Sequence, residues 1–221
     1  MRKNQALVIT LLFMTLLIAA CGGSASTVNT PSPTAEPTQQ ISQPGAEGIT
    51  VIAPPIKVSD FTLTNQTGTE AHLRDYQGNL VLFAFGYTHC PDVCPVTLAR
   101  FKQIKDRLGE SAAQVTVAFI TVDGFRDTPE RLNEYLKIFD PAFVGLTGSE
   151  ELTREVIKEY GGQFIINDTE GLRKNYTVDH TASSFLLDAD GQWIRTYEYN
   201  TDPDIVVADI LSVLGVSAPT T

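Results

Sequence analysis

The chain has 221 residues, with 26 acidic side chains against 16 basic ones and a formal net charge of −10. An acidic chain with no basic stripe argues against a nucleic-acid partner, because phosphate affinity rests on clustered Lys and Arg. The sequence also lacks an internal repeat and a nucleotide-binding glycine loop; spots such as Gly161-Gly162 follow helical segments and read as helix C-caps.

The N-terminus reads as an export signal. Arg2 and Lys3 precede an uncharged, mostly apolar stretch from Ala6 to Ala20, shorter than the roughly 20 residues a spanning helix needs. It closes on Ile18-Ala19-Ala20-Cys21, which resembles the bacterial lipobox. The resemblance implies a signal peptide over 1–20, cleavage before Cys21 and lipid on that residue. The expected location is the extracytoplasmic face of the cell membrane, held by the lipid anchor, where disulfides persist. Losing Arg2 and Lys3 takes the net charge from −10 to −12. Residues 21–48 are rich in Ser, Thr, Pro, Gly, Gln and Ala, cannot bury enough surface to offset ordering entropy, and read as a flexible tether. The folded domain is expected over 49–216, a size that can build a core, with 217–221 as a tail.

Within that domain, Phe61-Thr62-Leu63, the turn Asn65-Gln66-Thr67-Gly68 and a return over Glu70 to Leu73 read as a hairpin. Leu80 to Phe85 is a near-continuous apolar run, the mark of a central strand buried on both faces. A helix is placed at Pro95, with Phe101, Ile104 and Leu108 on one face and Gly109 ending it. Val115 to Val122 is the next strand, and Thr128-Pro129 starts a helix to about Phe139. Phe143 to Leu146 reads as a short strand, and Ser149 caps a helix to Tyr160. Gln163 to Ile166 is paired with Asn175-Tyr176-Thr177, and Ser184 to Leu187 with Gln192 to Tyr197. Asp202-Pro203 opens a last helix ending near Leu214-Gly215. The order is α/β: a single thioredoxin-like domain with an added N-terminal hairpin and an inserted hairpin.

The chemistry falls between the central strand and its helix, in Phe85-Gly86-Tyr87-Thr88-His89-Cys90-Pro91-Asp92-Val93-Cys94-Pro95. This reading puts Cys94 at the N-cap and Cys90 in the loop ahead of it, where the helix dipole lowers a thiol pKa. Such thiols serve redox or metal chemistry. Of the three histidines, His72 sits in a polar hairpin and reads as solvent-facing. His89 adjoins Cys90, but neighbours in extended chain diverge, so a structural or tuning role is preferred. His180 lies in a polar loop before a strand, by default a surface position. Asp92 reads as loop-shaping, Asp179 as a residue that could orient His180, and Arg126 and Asp127 as a mutual pair or a docking face.

Gly86-Tyr87-Thr88-His89-Cys90-Pro91-Asp92-Val93-Cys94-Pro95, Arg126-Asp127-Thr128-Pro129 and Val178-Asp179-His180 together resemble the SCO/SenC family of copper-handling proteins, over essentially the whole domain and in the same order. The resemblance implies copper ligands at Cys90, Cys94 and His180, and a role in assembling the dinuclear copper site of cytochrome c oxidase, with the copper-receiving oxidase subunit as partner. Gly124-Phe125 departs from the pattern, standing where the family usually has Pro, which bears on the local turn. Two thiolates and one imidazole suit trigonal Cu(I), and Cu(II) could bind with a further ligand. Structural zinc would want four closed ligands.

Three uses of the thiols compete: copper delivery, reduction of a partner's disulfide with Cys90 attacking and Cys94 resolving, and peroxidase chemistry. Three residues separate the cysteines where thioredoxin-type enzymes carry two, and no Pro lies in Tyr176 to Ser184 where such enzymes carry one. A peroxidase of the peroxiredoxin kind would want Thr three residues before its cysteine, whereas Tyr87 and Pro91 stand there. A purely structural bridge across so short a loop would restrain little chain entropy. Copper delivery is preferred, with disulfide reduction as the alternative.

Overall fold

The computed structural model of the protein describes residues 42–44 and 47–216. The signal, Cys21, all of the tether except these few residues, and the tail from Ser217 lie outside the described residues.

The strands are β1 (Ser42–Pro44), β2 (Ile49–Lys57), β3 (Thr62–Asn65), β4 (Glu70–His72), β5 (Leu80–Gly86), β6 (Val115–Thr121), β7 (Val144–Thr147), β8 (Phe164–Asn167), β9 (Thr177–His180), β10 (Ser184–Leu187) and β11 (Gln192–Tyr197). The helices are α1 (Val93–Leu108), α2 (Pro129–Leu136), α3 (Glu150–Glu159) and α4 (Pro203–Val213). Nine strands form one mixed sheet in the order β1-β2-β11-β10-β5-β6-β7-β3-β4, while β8 and β9 pair only with each other. The expected thioredoxin-like α/β architecture and both hairpins are present.

Each residue of β5 is buried, as a strand covered on both faces requires. It runs parallel to β6 and antiparallel to β10. Successive side chains point to opposite faces. Leu82 faces Phe101 and Ile104 of α1 and Val206 of α4. Phe83 and Phe85 face the other way and meet Tyr160, at the end of α3, and Phe185. Polar caps start the helices where expected: Thr128 accepts from the Arg131 amide, Ser149 from Leu152 and Asp202 from Asp204.

Several boundaries differ from the sequence reading. Helix α1 starts at Val93 with Asp92 as its cap, so Cys94 is inside the first turn rather than at the N-cap. Pro95 is then at the third helical position, where an N–H would still have no intrahelical partner. Helix α2 ends at Leu136, one turn short of Phe139. Strand β2 runs through Pro54 and Pro55, whose presence hides a strand in the sequence. Ser42–Pro44, within the stretch read as tether, pairs antiparallel with β2.

Candidate metal centre

The loop from Tyr87 to Asp92 leaves the C-terminal end of β5, the usual place for a functional site in an open α/β sheet. Its start is fixed by a buried carboxylate. Asp127 accepts the Thr88 amide at 2.8 Å, the Thr88 hydroxyl at 2.6 Å and the Thr121 hydroxyl at 2.6 Å. Arg131 Nε donates in turn to the Thr88 hydroxyl at 3.1 Å. A fully buried acid so satisfied is a structural pin. It was not found in the sequence, where Arg126-Asp127 read as a pair or a docking face; the two do not bond each other. Arg126 pairs instead with Asp123.

Gly86, the last residue of β5, opens room for sulfur. A Cβ there would lie 2.7 Å from Cys94 Sγ and 2.6 Å from the Phe119 ring. Cys94 is 1 % exposed, whereas Cys90 is half-buried in the loop. Both thiols are free. The Cys94 amide, in the first turn of α1, donates to Cys90 Sγ at 3.5 Å. The hydrogen bond from the Cys94 thiol, opposed by partial burial and helped by the Cys94 and Asp92 amides, brings the Cys90 pKa down to about 5. Cys94 moves the other way, because it gives that bond and because it is buried. The expected depression therefore falls on Cys90 alone.

His180 arrives from the hairpin. It is the last residue of β9, not part of a loop, opposite Phe164 of β8. Its Nε2 lies 3.4 Å from Cys94 Sγ. Its Nδ1 is 3.0 Å from the Thr181 carbonyl, which can only accept, so Nδ1 carries the proton and Nε2 presents a lone pair to the sulfurs. Thr181 thus supplies the orienting contact that the sequence reading considered for Asp179, an exposed residue on the opposite face of the strand. The Tyr87 ring stands edge-on to His180, centroids 5.9 Å apart. One ligand atom from each of Cys90, Cys94 and His180 lies within 4.8 Å of the others.

The remaining candidates stay apart from this trio. His89 is exposed and turns Nδ1 toward Asp127 at 3.5 Å. With Asp123 and Asp127 it makes a second cluster, but every oxygen of those two acids already accepts from Thr88, Thr121, Tyr176 or Arg126. His72 bonds Thr62 and Glu70 on the far hairpin, with its side chain only 18 % exposed, so it is paired rather than solvent-facing. Asp92 is exposed at the mouth of the site. At the departure from the family pattern, Gly124 allows an approach to the Gly148 carbonyl that no side chain would permit, and the Arg126 and Asp127 amides close the turn on the Asp123 carbonyl.

The site opens into a groove of about 360 Å³ between Cys90-Pro91-Asp92-Val93 and Thr177-Val178-Asp179-His180. Two sulfurs and an imidazole facing an open groove can hold a soft, low-coordinate metal ion and can also give it up.

The SCO1/SenC family model matches residues 51–215 of the chain. An SCO2-like protein of Rickettsia conorii is 35% identical over 144 residues, covering 65% of this chain and 70% of that protein. Among solved structures, copper-bound ScoI of Bradyrhizobium japonicum is 35% identical with a TM-score of 0.64, covering 70% of this chain and 98% of that one. Copper-bound yeast Sco1 is 29% identical with a TM-score of 0.68, covering 75% and 92%.

Proposed function

Because the chain belongs to the SCO1/SenC family, we propose that it is a copper metallochaperone that binds copper through Cys90, Cys94 and His180 and supports assembly of the dinuclear copper site of cytochrome c oxidase. The observation that carries this reading is the convergence of the three ligand atoms within 4.8 Å, with the His180 Nε2 lone pair turned toward the sulfurs. Two thiolates and one neutral imidazole favour Cu(I) in a three-coordinate site. The copper-bound relatives support the choice of metal. The partner is the oxidase subunit that receives the copper. Lipid on Cys21 would hold the domain at the outer face of the membrane, within reach of that subunit; no helix among the described residues is long and apolar enough to cross a membrane.

Disulfide reduction is a second reading, favoured by one observation: an accessible, low-pKa Cys90 beside a buried, high-pKa Cys94 is the division of labour of an attacking and a resolving thiol. Substituting the imidazole separates the two. With His180→Ala, anaerobic Cu(I) titration against a competing chelator should show affinity reduced by more than about a hundredfold, since losing even an outer partner of a ligand costs about ten- to a hundredfold. Thiol–disulfide exchange with a small disulfide should persist. Unchanged copper affinity in this variant would exclude the metallochaperone assignment.

A further inference from the structure

The sulfur ligands and the imidazole belong to different sheets. Cys90 and Cys94 follow β5 of the nine-stranded sheet, whereas His180 is on the β8–β9 pair, which has no ladder to that sheet. Other contacts set the distance between them: Arg154 of α3 donates to the carbonyl of Phe164, opposite His180, at 2.8 Å, and a largely buried group of three side chains ties β9 itself. Arg126, in the loop after β6, donates through Nε to Asp123. Its Nη1 donates 3.0 Å to the carbonyl of Tyr176, the residue immediately before β9. Its guanidinium lies 3.5 Å from the centroid of the Tyr176 ring, and the Tyr176 hydroxyl closes the triangle on Asp123 at 2.6 Å. The guanidinium also lies 5.7 Å from the Tyr87 ring, whose edge meets His180. Its Nη2 is buried without a hydrogen-bond partner, so aromatic faces stand where acceptors would otherwise be needed.

We propose that Arg126 is a positioning residue for the copper site, holding the β8–β9 hairpin so that His180 Nε2 meets the two sulfurs. The inference rests on His180 being a copper ligand. It assigns Arg126 an effect chiefly on the nitrogen ligand: Arg126 bonds neither cysteine, and although its guanidinium faces Tyr87 at the start of the cysteine loop, that loop has its own pin at Asp127. Only a planar fork can lie on Tyr176 while bonding both its carbonyl and Asp123; Lys can keep the charge near Asp123 but not the stack.

The test is a double-mutant cycle on the full chain solubilised in detergent, with Cu(I) affinity as the readout and melting curves to check folding. Arg126→Ala should weaken copper about ten- to a hundredfold in the wild-type background, the range for partners that orient a ligand, and less than about twofold beside His180→Ala. Alkylation of Cys90 should be unchanged in both, and the nitrogen hyperfine signal of the Cu(II)-loaded form should weaken with Arg126→Ala. Should that variant fail to fold, Arg126→Lys keeps a cation beside Asp123 and carries the same cycle, with a smaller loss. Equal losses in both backgrounds would make Arg126 a general fold residue and overturn the proposal, as would full affinity in the single variant. If His180→Ala itself leaves copper affinity intact, the ligand assignment falls and this inference with it, whereas a loss in His180→Ala without one in Arg126→Ala sinks the inference alone.

Discussion

The cysteine loop and the β8–β9 hairpin meet at one site but are built on opposite terms. The loop is the continuation of a strand buried at every position. It is pinned at Thr88 by a carboxylate with no solvent exposure and backed at Gly86 by the Phe119 ring. The hairpin has two four-residue strands, exposes Ile165 and alternates buried and open positions. It is joined to the main body by Arg126 and Asp123, by Arg154 of α3 on the Phe164 carbonyl and ring, and by the packing of Tyr87, Phe164, Tyr176 and Val178. The sulfurs are thus held by core packing and the imidazole by a few polar and aromatic contacts.

That contrast can be broken most forcefully at Asp127. Asp127→Ala strands the Thr88 amide and two hydroxyls, and should cost about 3 kcal/mol of folding stability by denaturant titration. The corresponding loss on the hairpin, Thr181→Ala, removes the acceptor for the Gln163 amide at an exposed site and should cost only about 0.5 kcal/mol. If the two losses are comparable, the distinction between a rigid loop and an appended hairpin is wrong. Gly86→Ala comes next: its methyl would overlap Cys94 Sγ and Phe119, with an expected cost of about 1–3 kcal/mol from overpacking and a changed absorption spectrum of the copper-loaded protein, since the sulfur must shift.

The mildest probe is pH. Thiolate is the reactive form, and the folded Cys90 pKa of about 5 lies below the ordinary thiol value of 9.0. The alkylation rate of Cys90 in the metal-free protein should therefore stay level from neutrality down and fall by half near pH 5. Cys94→Ala removes the thiol hydrogen bond that does most to depress the pKa, so the midpoint should climb, though not fully, because the amide of residue 94 still donates. A midpoint unmoved by that change would mean that the amides, rather than the second thiol, set the acidity.

Legibility in the sequence follows the same division. The β5–α1 junction and the paired cysteines were readable because an apolar strand, a Pro near a helix start and a cysteine spacing are all local signals. Strands β10 and β11 had clear turn chemistry between them and match their expected bounds. The hairpin is legible, but the sequence puts its return strand at Asn175 to Thr177, whereas β9 is Thr177–His180. Tyr176 has strand-like chemistry, yet it is drawn out of the ladder by Arg126 and Asp123, partners about fifty positions earlier. His180 lies 86 residues from Cys94, so only family resemblance, not spacing, could single it out. Asp127 falls within the Arg126-Asp127-Thr128-Pro129 run that carries the resemblance, yet nothing in the sequence shows that its carboxylate is buried on Thr88 and Thr121; Thr181 acts through a main-chain oxygen that every residue possesses.

The unequal burial of the two cysteines has a kinetic consequence. One wall of the groove exposes the Cys90 sulfur, while Cys94 is closed in behind it by Gly86 and Phe119. Any reagent entering from solvent, whether a chelator, an alkylating agent or another protein's thiolate, encounters Cys90 first and Cys94 only afterwards. Chemically identical side chains become a first and a last step, and exchange at this centre acquires a direction from shape alone.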